Sequence, residues 1–598
     1  MIKERWMLRP GMRKQEMVKY FQDKLGIDRL TAIMLLNRDV TTLEDAKMFL
    51  RGTLDDLHEP SLMKDMDKGV ERMKKAILSG ERITIYGDYD CDGVSSTSIL
   101  FKALKRCGAD FHYHVPDREK EGYGMNCNRV RELAKEGTTL IITCDNGIAA
   151  FEEVKLAQEL GMDVILTDHH DIQLVDGENG EKVFAVPEAY AVINPHQDDC
   201  NYPFKLLCGA GVAYKFSVAL YRKMGIPHEE TLELLEIASI ATVCDVVDLR
   251  DENRIIVREG LKMLTNSNNI GINALKKVCD LEDKEITAYH LGFVIGPCIN
   301  ATGRLESATI SVELLTESSK DVAEELAKSL QELNERRKEL TTESVEEVVE
   351  QIEKDKLYED KVILVYNPNI HESIAGIVAG RVKEKYNIPT IVMTKSKEEG
   401  MTKGSARSIE EYNMFEELSK CKHLMPKFGG HPMAAGLSVK LEDLPTLRKM
   451  LNDNCKLTEE EFTPKVKIDV AMNLNYVDEK LVEAIGKLEP FGKGNASPVL
   501  AAKNVLVRSF RTIGSDKSHI KFECVIPENN MRIDALLFNR ADEFREVFDD
   551  KYGMGKFEQV SDGSIFRFNI DAIYKPSINE FNGRKSMQII INNFRLSE

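Results

Sequence analysis

The sequence predicts an α/β protein of three or four domains: a parallel-sheet domain, a long connecting helix, a second α/β domain and a C-terminal β-barrel. Three observations predict it. Apolar runs alternate with helix-like segments between residues 83 and 193, the pattern of a parallel sheet covered by helices on both faces. A charged stretch from 321 to about 355 carries Leu326, Leu330, Leu333 and Leu340 at three-to-four-residue spacing, the period of a single long helix. Beyond about 465, short β-rich segments alternate with polar turns, as in a small barrel. A chain of 598 residues is also too long for one hydrophobic core.

In chain order, residues 1–60 form an N-terminal helical extension and 61–320 the first α/β domain. The start, MIKERWMLRPGMRKQ, is charged throughout and lacks the apolar core of a signal peptide. Residues 65–79 read as an amphipathic helix, with Gly80 just past its end. Strand-like runs occupy 83–87, 111–115, 138–144, 163–167 and 189–193, with helices at 94–106 and 150–160 and a buried helix over 229–245. Residues 321–356 are the connecting helix, read as an interdomain spacer. A second α/β block covers 357–458, with strands KVILVY (361–366) and IPTIVM (388–393) and a glycine-rich turn, FGGHPMAAG (428–436). Residues 459–598 make up the barrel.

Composition narrows the class. The chain is 42% apolar and 30% charged, as in globular proteins. No apolar run approaches the roughly 20 residues that span a bilayer. Twelve cysteines occur without a C-x-x-C pair, which argues against a zinc site or a disulfide framework and for a reducing cytoplasm. A net charge of −18 counts against a nucleic-acid partner if taken alone. It does not describe local distribution, and a basic groove can coexist with acidic outer helices.

The residues with chemistry to offer stand directly after the strands of the first domain. After 83–87 come Asp88, Asp90 and Asp92; after 138–144 come Asp145, Asn146 and Gly147; after 163–167 come Asp168, His169 and His170; the buried helix ends in Asp245. A single acid at such a place is usually a cap or a turn residue. Four such ends converging is different, because ligands of open parallel sheets bind beyond the carboxyl ends of the strands. Gathered carboxylates either neutralise one another or hold cations. Oxygen ligands with one or two imidazoles suit Mg²⁺ or Mn²⁺ better than zinc, and two such ions can serve a phosphoryl displacement.

With these residues in view, the chain resembles a known family. GDYDCDG, TCDNG, TDHH and ATVCDVVDL are similar to the four ordered motifs of the DHH phosphoesterases. GPCINATGR (296–304), KGSARS (403–408), FGGHPMAAG and LEPFGKGNASPV (488–499) extend the resemblance along the chain. They narrow it to the RecJ family, single-strand-specific 5′→3′ DNA exonucleases of recombination and repair. The resemblance implies a DHH catalytic domain, a DHH-associated domain and an OB-fold barrel, with two divalent cations, Mn²⁺ or Mg²⁺. Asp90 would help hold the first cation and Asp92 the second, Asp145 would bridge them, and His169 and Asp245 would complete the second site. Asp88 would be a further ligand or orient one, and His170 would sit beside the scissile phosphate. Arg118, Arg304, Ser405 and Arg407, the last two in a short loop, would receive the terminal 5′-phosphate, and His431 would close over the strand. Arg508, Phe510, Arg511 and Lys521, with His519, Lys575 and Phe581, are the candidates for strand contacts on the barrel.

The chain departs from the family pattern in places. Tyr86 stands where many relatives have histidine, which implies a weaker first cation site supported by Asp88. Cys298 replaces the arginine of GPRIN and removes a candidate phosphate contact. Cys91, Cys144 and Cys244 adjoin expected ligands; strand alternation points Cys144 into the core. Such thiols are most often core fillers, the alternative being a site sensitive to oxidation or to soft metals. The resemblance also implies single-stranded DNA as the partner molecule, with a single-strand-binding protein and a RecQ-type helicase, in a cytoplasmic monomer without a membrane. Two other functions compete. A non-catalytic scaffold would have shed the motif carboxylates, and a DHH phosphoesterase of short oligonucleotides would lack residues 465–598.

Overall fold

Five parallel strands build the sheet that positions the site: β1 (Arg82–Tyr86), β2 (Asp110–His114), β3 (Leu140–Thr143), β4 (Asp163–Thr167) and β5 (Ala191–Ile193). Their order is β2-β1-β3-β4-β5, so the strand order reverses between β1 and β3. Ile83, Ile85, Ile142 and Ile165 enter one apolar core, whereas Tyr86, Ile141 and Val164 enter another on the opposite face. That alternation on a sheet buried on both sides explains the near-continuous apolar runs. The structure, a computed structural model, describes residues 4–176, 182–581 and 583–597. They belong to two units, Thr53–Phe462 and Met1–Gly52 together with Thr463–Glu598. No helix among the described residues is long and apolar enough to cross a membrane.

Helices cover the sheet. The α1 helix (Met66–Ser79) ends at Gly80 in a left-handed cap, with φ of 64°. The α2 helix (Cys91–Arg106) begins three residues before the sequence pattern implied, because the Asp90 carboxylate caps it. The α3 helix (Gly209–Met224) packs across α2, and α4 (Leu232–Cys244) is buried along its middle. The α5 helix (Gly296–Leu305) comes after a π-helical turn at Leu291–Ile295.

The connecting helix α6 (Lys320–Lys354) has 35 residues, roughly 50 Å of length. It is packed rather than bare. Ala323, Ala327 and Leu330 belong to the first domain's core, and Val348 and Ile352 to a core of the second domain. The second sheet comprises β6 (Ile363–Tyr366), β7 (Thr390–Lys395), β8 (Met401–Arg407), β9 (Lys427–His431) and β10 (Ala434–Lys440), in the order β9-β10-β8-β7-β6. The α7 helix (Ala375–Tyr386) lies on it, and α8 (Met414–Lys420) precedes β9. The FGGHPMAAG segment is therefore a β-hairpin, with Gly429 opposite Gly436.

In the other unit, β11 (Val470–Ala471), β12 (Leu500–Ile513), β13 (His519–Ile526), β14 (Met531–Leu537), β15 (Phe568–Phe581) and β16 (Arg584–Leu596) run in the order β11-β12-β13-β14-β16-β15. A second pairing of β12 with β15 closes the barrel. The N-terminal helices Gln15–Leu25, Arg29–Leu36 and Leu43–Arg51 share its apolar core. The LEPFGKGNASPV segment serves this packing. Asn495 accepts from Nε of buried Arg38 at 2.6 Å and donates to the carbonyls of Leu488 and Pro490 at 2.7 and 2.8 Å.

Replacing Asn495 by alanine removes one hydrogen bond from the buried Arg38 guanidinium and the two that its amide donates. The barrel unit is expected to lose about 3 kcal/mol, read as a lower urea midpoint at unchanged slope in its unfolding transition.

Candidate active site

The reversal of strand order opens a crevice between β1 and β3, and the loops beside it carry the acids. Asp90 Oδ1 accepts from the backbone amides of Asp92 and Gly93 at 2.9 and 3.0 Å, capping α2. Asp92 is buried and faces the N-terminus of α3, whose Gly209 and Ala210 amides donate to its two oxygens at 2.6 and 2.8 Å. That helix end is a fixed source of positive charge. After β3, Asp145 adopts a left-handed backbone, with φ of 62°. Asn146 Nδ2 then donates to the carbonyls of Tyr86, Gly87 and Cys144 at 3.1, 3.0 and 2.9 Å, joining the two strand ends. After β4, Asp168 accepts from the Ile148 and His169 amides and from His170 Nδ1, the last at 2.7 Å.

The side chains converge. Asp88, Asp90 and Asp145 form one group, Asp92, His169 and Asp245 a second, and Asp145, His169 and His170 a third; within each, the ligand atoms lie within 4.8 Å of one another. His169 Nε2 is 3.1 Å from Asp145 Oδ1, 3.5 Å from Asp92 and 3.8 Å from Asp245. At the 4.8 Å limit, two ionised carboxylates repel by about 3.5 kcal/mol at an effective dielectric of 20.

Burial, then the neighbouring carboxylates, push Asp145 and Asp88 well above the usual carboxylate range. Burial lowers His170, but its bond to Asp168 and the surrounding acids outweigh burial and raise it to about 9. Asp88 Oδ1 and Asp145 Oδ1 are buried and accept no hydrogen bond. Oxygens of this kind, in a group of carboxylates with an imidazole at the edge, fit hard divalent cations.

A separate cavity of about 380 Å³ is lined in part by Arg118, Lys403, Ser405, Lys427 and Phe428, with Glu372 paired to Lys403. Ser405 and Arg407 lie on strand β8 rather than in a loop, so Lys403, Ser405 and Arg407 share one face. Arg118 sits 5.0 Å over the Tyr89 ring. Arg304, on α5, donates to the Ser373 carbonyl at 2.7 Å. Burial, then the Arg118 and Arg337 charges, lower it to about 10. Arg304 and Arg407 do not line the cavity, but the field of both Arg118 and Arg407 reaches Arg304. His431, at the hairpin tip, is exposed and shares a larger cavity with His170.

Other sequence expectations are corrected. Tyr86 does not enter the acidic groups: it is fully buried in the core on the other face of the sheet, with its hydroxyl accepting from Asn126 at 3.3 Å. Phe510 is 1% exposed and packs on Phe522, Phe544, Phe548, Phe557 and Phe568, so it is barrel core. Arg508 is bound to Glu523 and Lys521 to Asp534, whereas Arg511 is exposed. His519 packs on Phe538 and Lys575 reaches Phe491, and the Phe581 side chain lies outside the described residues. Cys91, hydrogen-bonded to Cys244, and Cys144 are both buried.

Sequence reasoning missed several residues. Tyr123 donates to the Asp145 carbonyl at 3.2 Å and touches His170. Asn300 Oδ1 accepts from the Cys91 amide at 2.9 Å, tying α5 to the acidic loop. Gly209 must be glycine, since a Cβ there would fall 2.6 Å from Asp145 Cβ and 2.9 Å from its Cα. The motif GPCINATGR signalled Asn300 without revealing its role.

Comparison with known proteins places the chain. It matches the models of the DHH family N-terminal domain over residues 82–242, the DHHA1 domain over 359–457 and the RecJ OB domain over 468–593. It is 37% identical over 599 residues to the single-stranded-DNA-specific exonuclease RecJ of Bacillus subtilis, covering all of this chain and 71% of that protein. It is 32% identical to the Haemophilus influenzae exonuclease of the same name, over 90% of this chain and 92% of that one. Its fold is similar to crystalline Thermus thermophilus RecJ in complex with Mn²⁺, with a TM-score of 0.79 and 25% identity over 99% of this chain and 80% of that chain.

A Gly209→Ala variant forces its new methyl group against Asp145. It is expected to bind Mn²⁺ at least tenfold more weakly by calorimetric titration while keeping a wild-type circular-dichroism spectrum.

Proposed function

The chain belongs to the RecJ family of DHH phosphoesterases, and on that premise we propose that it releases mononucleotides from the 5′ ends of single-stranded DNA, hydrolysing phosphodiesters with two divalent cations, Mn²⁺ or Mg²⁺. One observation carries the reading: Asp145 belongs both to the group with Asp88 and Asp90 and to a group with His169, with donors for a phosphate lining a separate cavity. Asp88, Asp90 and Asp145 would hold one cation and Asp92, His169 and Asp245 the other, with Asp145 between them. Bound there, the cations supply Lewis acidity towards water and the scissile phosphate.

The chain's own groups position the substrate. His170, held through Nδ1 by Asp168, would offer a ring donor to the scissile phosphate. Arg118 and Ser405 would bind the terminal 5′-phosphate, while Arg304 and Arg407 add positive charge behind them. A doubly charged terminal phosphate gains more from this cavity than an interior phosphodiester does, which sets the polarity. His431 would close over the strand from the hairpin. On the barrel, Arg511 is the exposed candidate for a contact with the strand. A cytoplasmic monomer acting in recombination and repair, fed by a single-strand-binding protein and a RecQ-type helicase, completes the reading.

Single strands labelled at one end test it. Mononucleotide release is expected from the 5′ end with Mn²⁺ or Mg²⁺ and little from duplex. Asp145→Ala should lower the rate at least 1,000-fold, a loss of about 4 kcal/mol. Arg118→Ala should erase the preference for a 5′-phosphate over a 5′-hydroxyl. Tight strand binding without release under either metal would instead identify a non-catalytic scaffold.

A further inference from the structure

Phosphate and metal chemistry do not account for the larger cavity. It measures about 730 Å³ and reaches from His170 and Asp168, past Ile148 and Leu174, to Phe415 and the tip of the β9–β10 hairpin. Among the described residues, no lysine or arginine lines it, while Glu153, Asp168 and Asp171 do. The His170 imidazole lies at the end that borders the acidic groups. Such a lining is poor for phosphate and favours a neutral, flat, largely apolar group. The smaller cavity sets Arg118, Lys403 and Lys427 against the single acid Glu372.

The two cavities meet at a pair of rings. Phe415, on α8, lines the larger cavity, and Phe428, on β9, lines the smaller one. Their centroids are 5.7 Å apart, with 29° between the ring planes. Phe415 keeps 39% of its surface exposed. A large aromatic ring left open at the rim of a catalytic cleft, and stiffened from behind by a second ring, is unexplained by packing.

Resting on the exonuclease reading above, we infer that Phe415 is a stacking platform for the base of one of the two nucleotides that flank the scissile phosphate. The larger cavity is its base subsite. The cavity is continuous with the acidic groups through Asp168 and His170, so a base there belongs to a nucleotide at the scissile bond. A base enclosed in it cannot keep a Watson–Crick partner, so the subsite rejects duplex by geometry. Stacking on a ring is tolerant of base identity, as an exonuclease of mixed sequence requires. Phe415 is thus a positioning and specificity residue.

A substrate–variant cycle tests this. Strands with a 5′-phosphate carry a normal nucleotide or an abasic one at position 1, 2 or 3. They are presented to wild type, Phe415→Ala, Phe415→Leu and Phe415→Tyr. Release is measured in otherwise wild-type protein, and strand affinity in an Asp145→Ala background, so that a failed exonuclease reading is told apart from a failed subsite. Wild type should lose about tenfold in kcat/KM and in affinity when the base at position 1 or 2 is missing. Phe415→Ala and Phe415→Leu should lose about tenfold on the normal strand and nothing more on that abasic strand, whereas Phe415→Tyr should behave as wild type. Independent losses from variant and abasic site would overturn the inference, as would a response confined to position 3 or none at all. Unchanged Mn²⁺ binding by the variants excludes a disturbed metal cluster.

Discussion

Carboxylates held within 4.8 Å of one another repel by several kcal/mol per pair, and the fold around β1 and β3 is organised to tolerate that repulsion. Most of the acids have a counterweight in the backbone. Asp90 spends one oxygen on the first amides of α2, and Asp92 faces the first amides of α3. Asp168 takes three backbone amides and holds the His170 ring through Nδ1. Asp145 and Asp88 keep a buried oxygen that accepts no hydrogen bond, and there a cation would relieve what the protein alone leaves unbalanced. A sheet with a different strand order would not bring two helix N-termini and two strand ends to one point.

The same constraint reaches into the second domain. The α5 helix touches the acidic loop through Asn300 and the second domain through Arg304, which donates to the Ser373 carbonyl. The long helix α6 contributes to the cores of both domains. The two domains are therefore joined by covalent and packed elements beside the acidic groups. This reconciles a net charge of −18 with a polyanionic substrate. The clustered acids are the groups that cations would neutralise, and Arg118, Lys403 and Lys427 line a separate cavity.

Much of this was legible in the sequence because its signals are local. Alternating apolar runs marked the parallel sheet, and acids directly after strands marked the cluster, since a residue's place at a strand end fixes where it points. The failures are tertiary. Phe510 and Arg508 sit on a barrel strand where only closure decides inside from outside. KGSARS reads as a loop from its small residues, yet pairing on both sides makes it a strand. Nothing in the sequence near residue 209 announces that a glycine there makes room for Asp145, far earlier in the chain.

End specificity and strand specificity then have a common physical origin. A cavity that contains several cationic donors would reward the extra charge of a terminal phosphate, but it could not by itself distinguish one strand from two. A neighbouring cavity without lysine or arginine among its described lining residues competes poorly for that phosphate, and it admits what hangs off the backbone. With the two separated by a stacked ring pair, phosphate and base are sorted into different spaces. A duplex end would need its base in both the cavity and the pair. The partition between the cavities, more than the charge of either one, makes the cleft selective for a free single-stranded end.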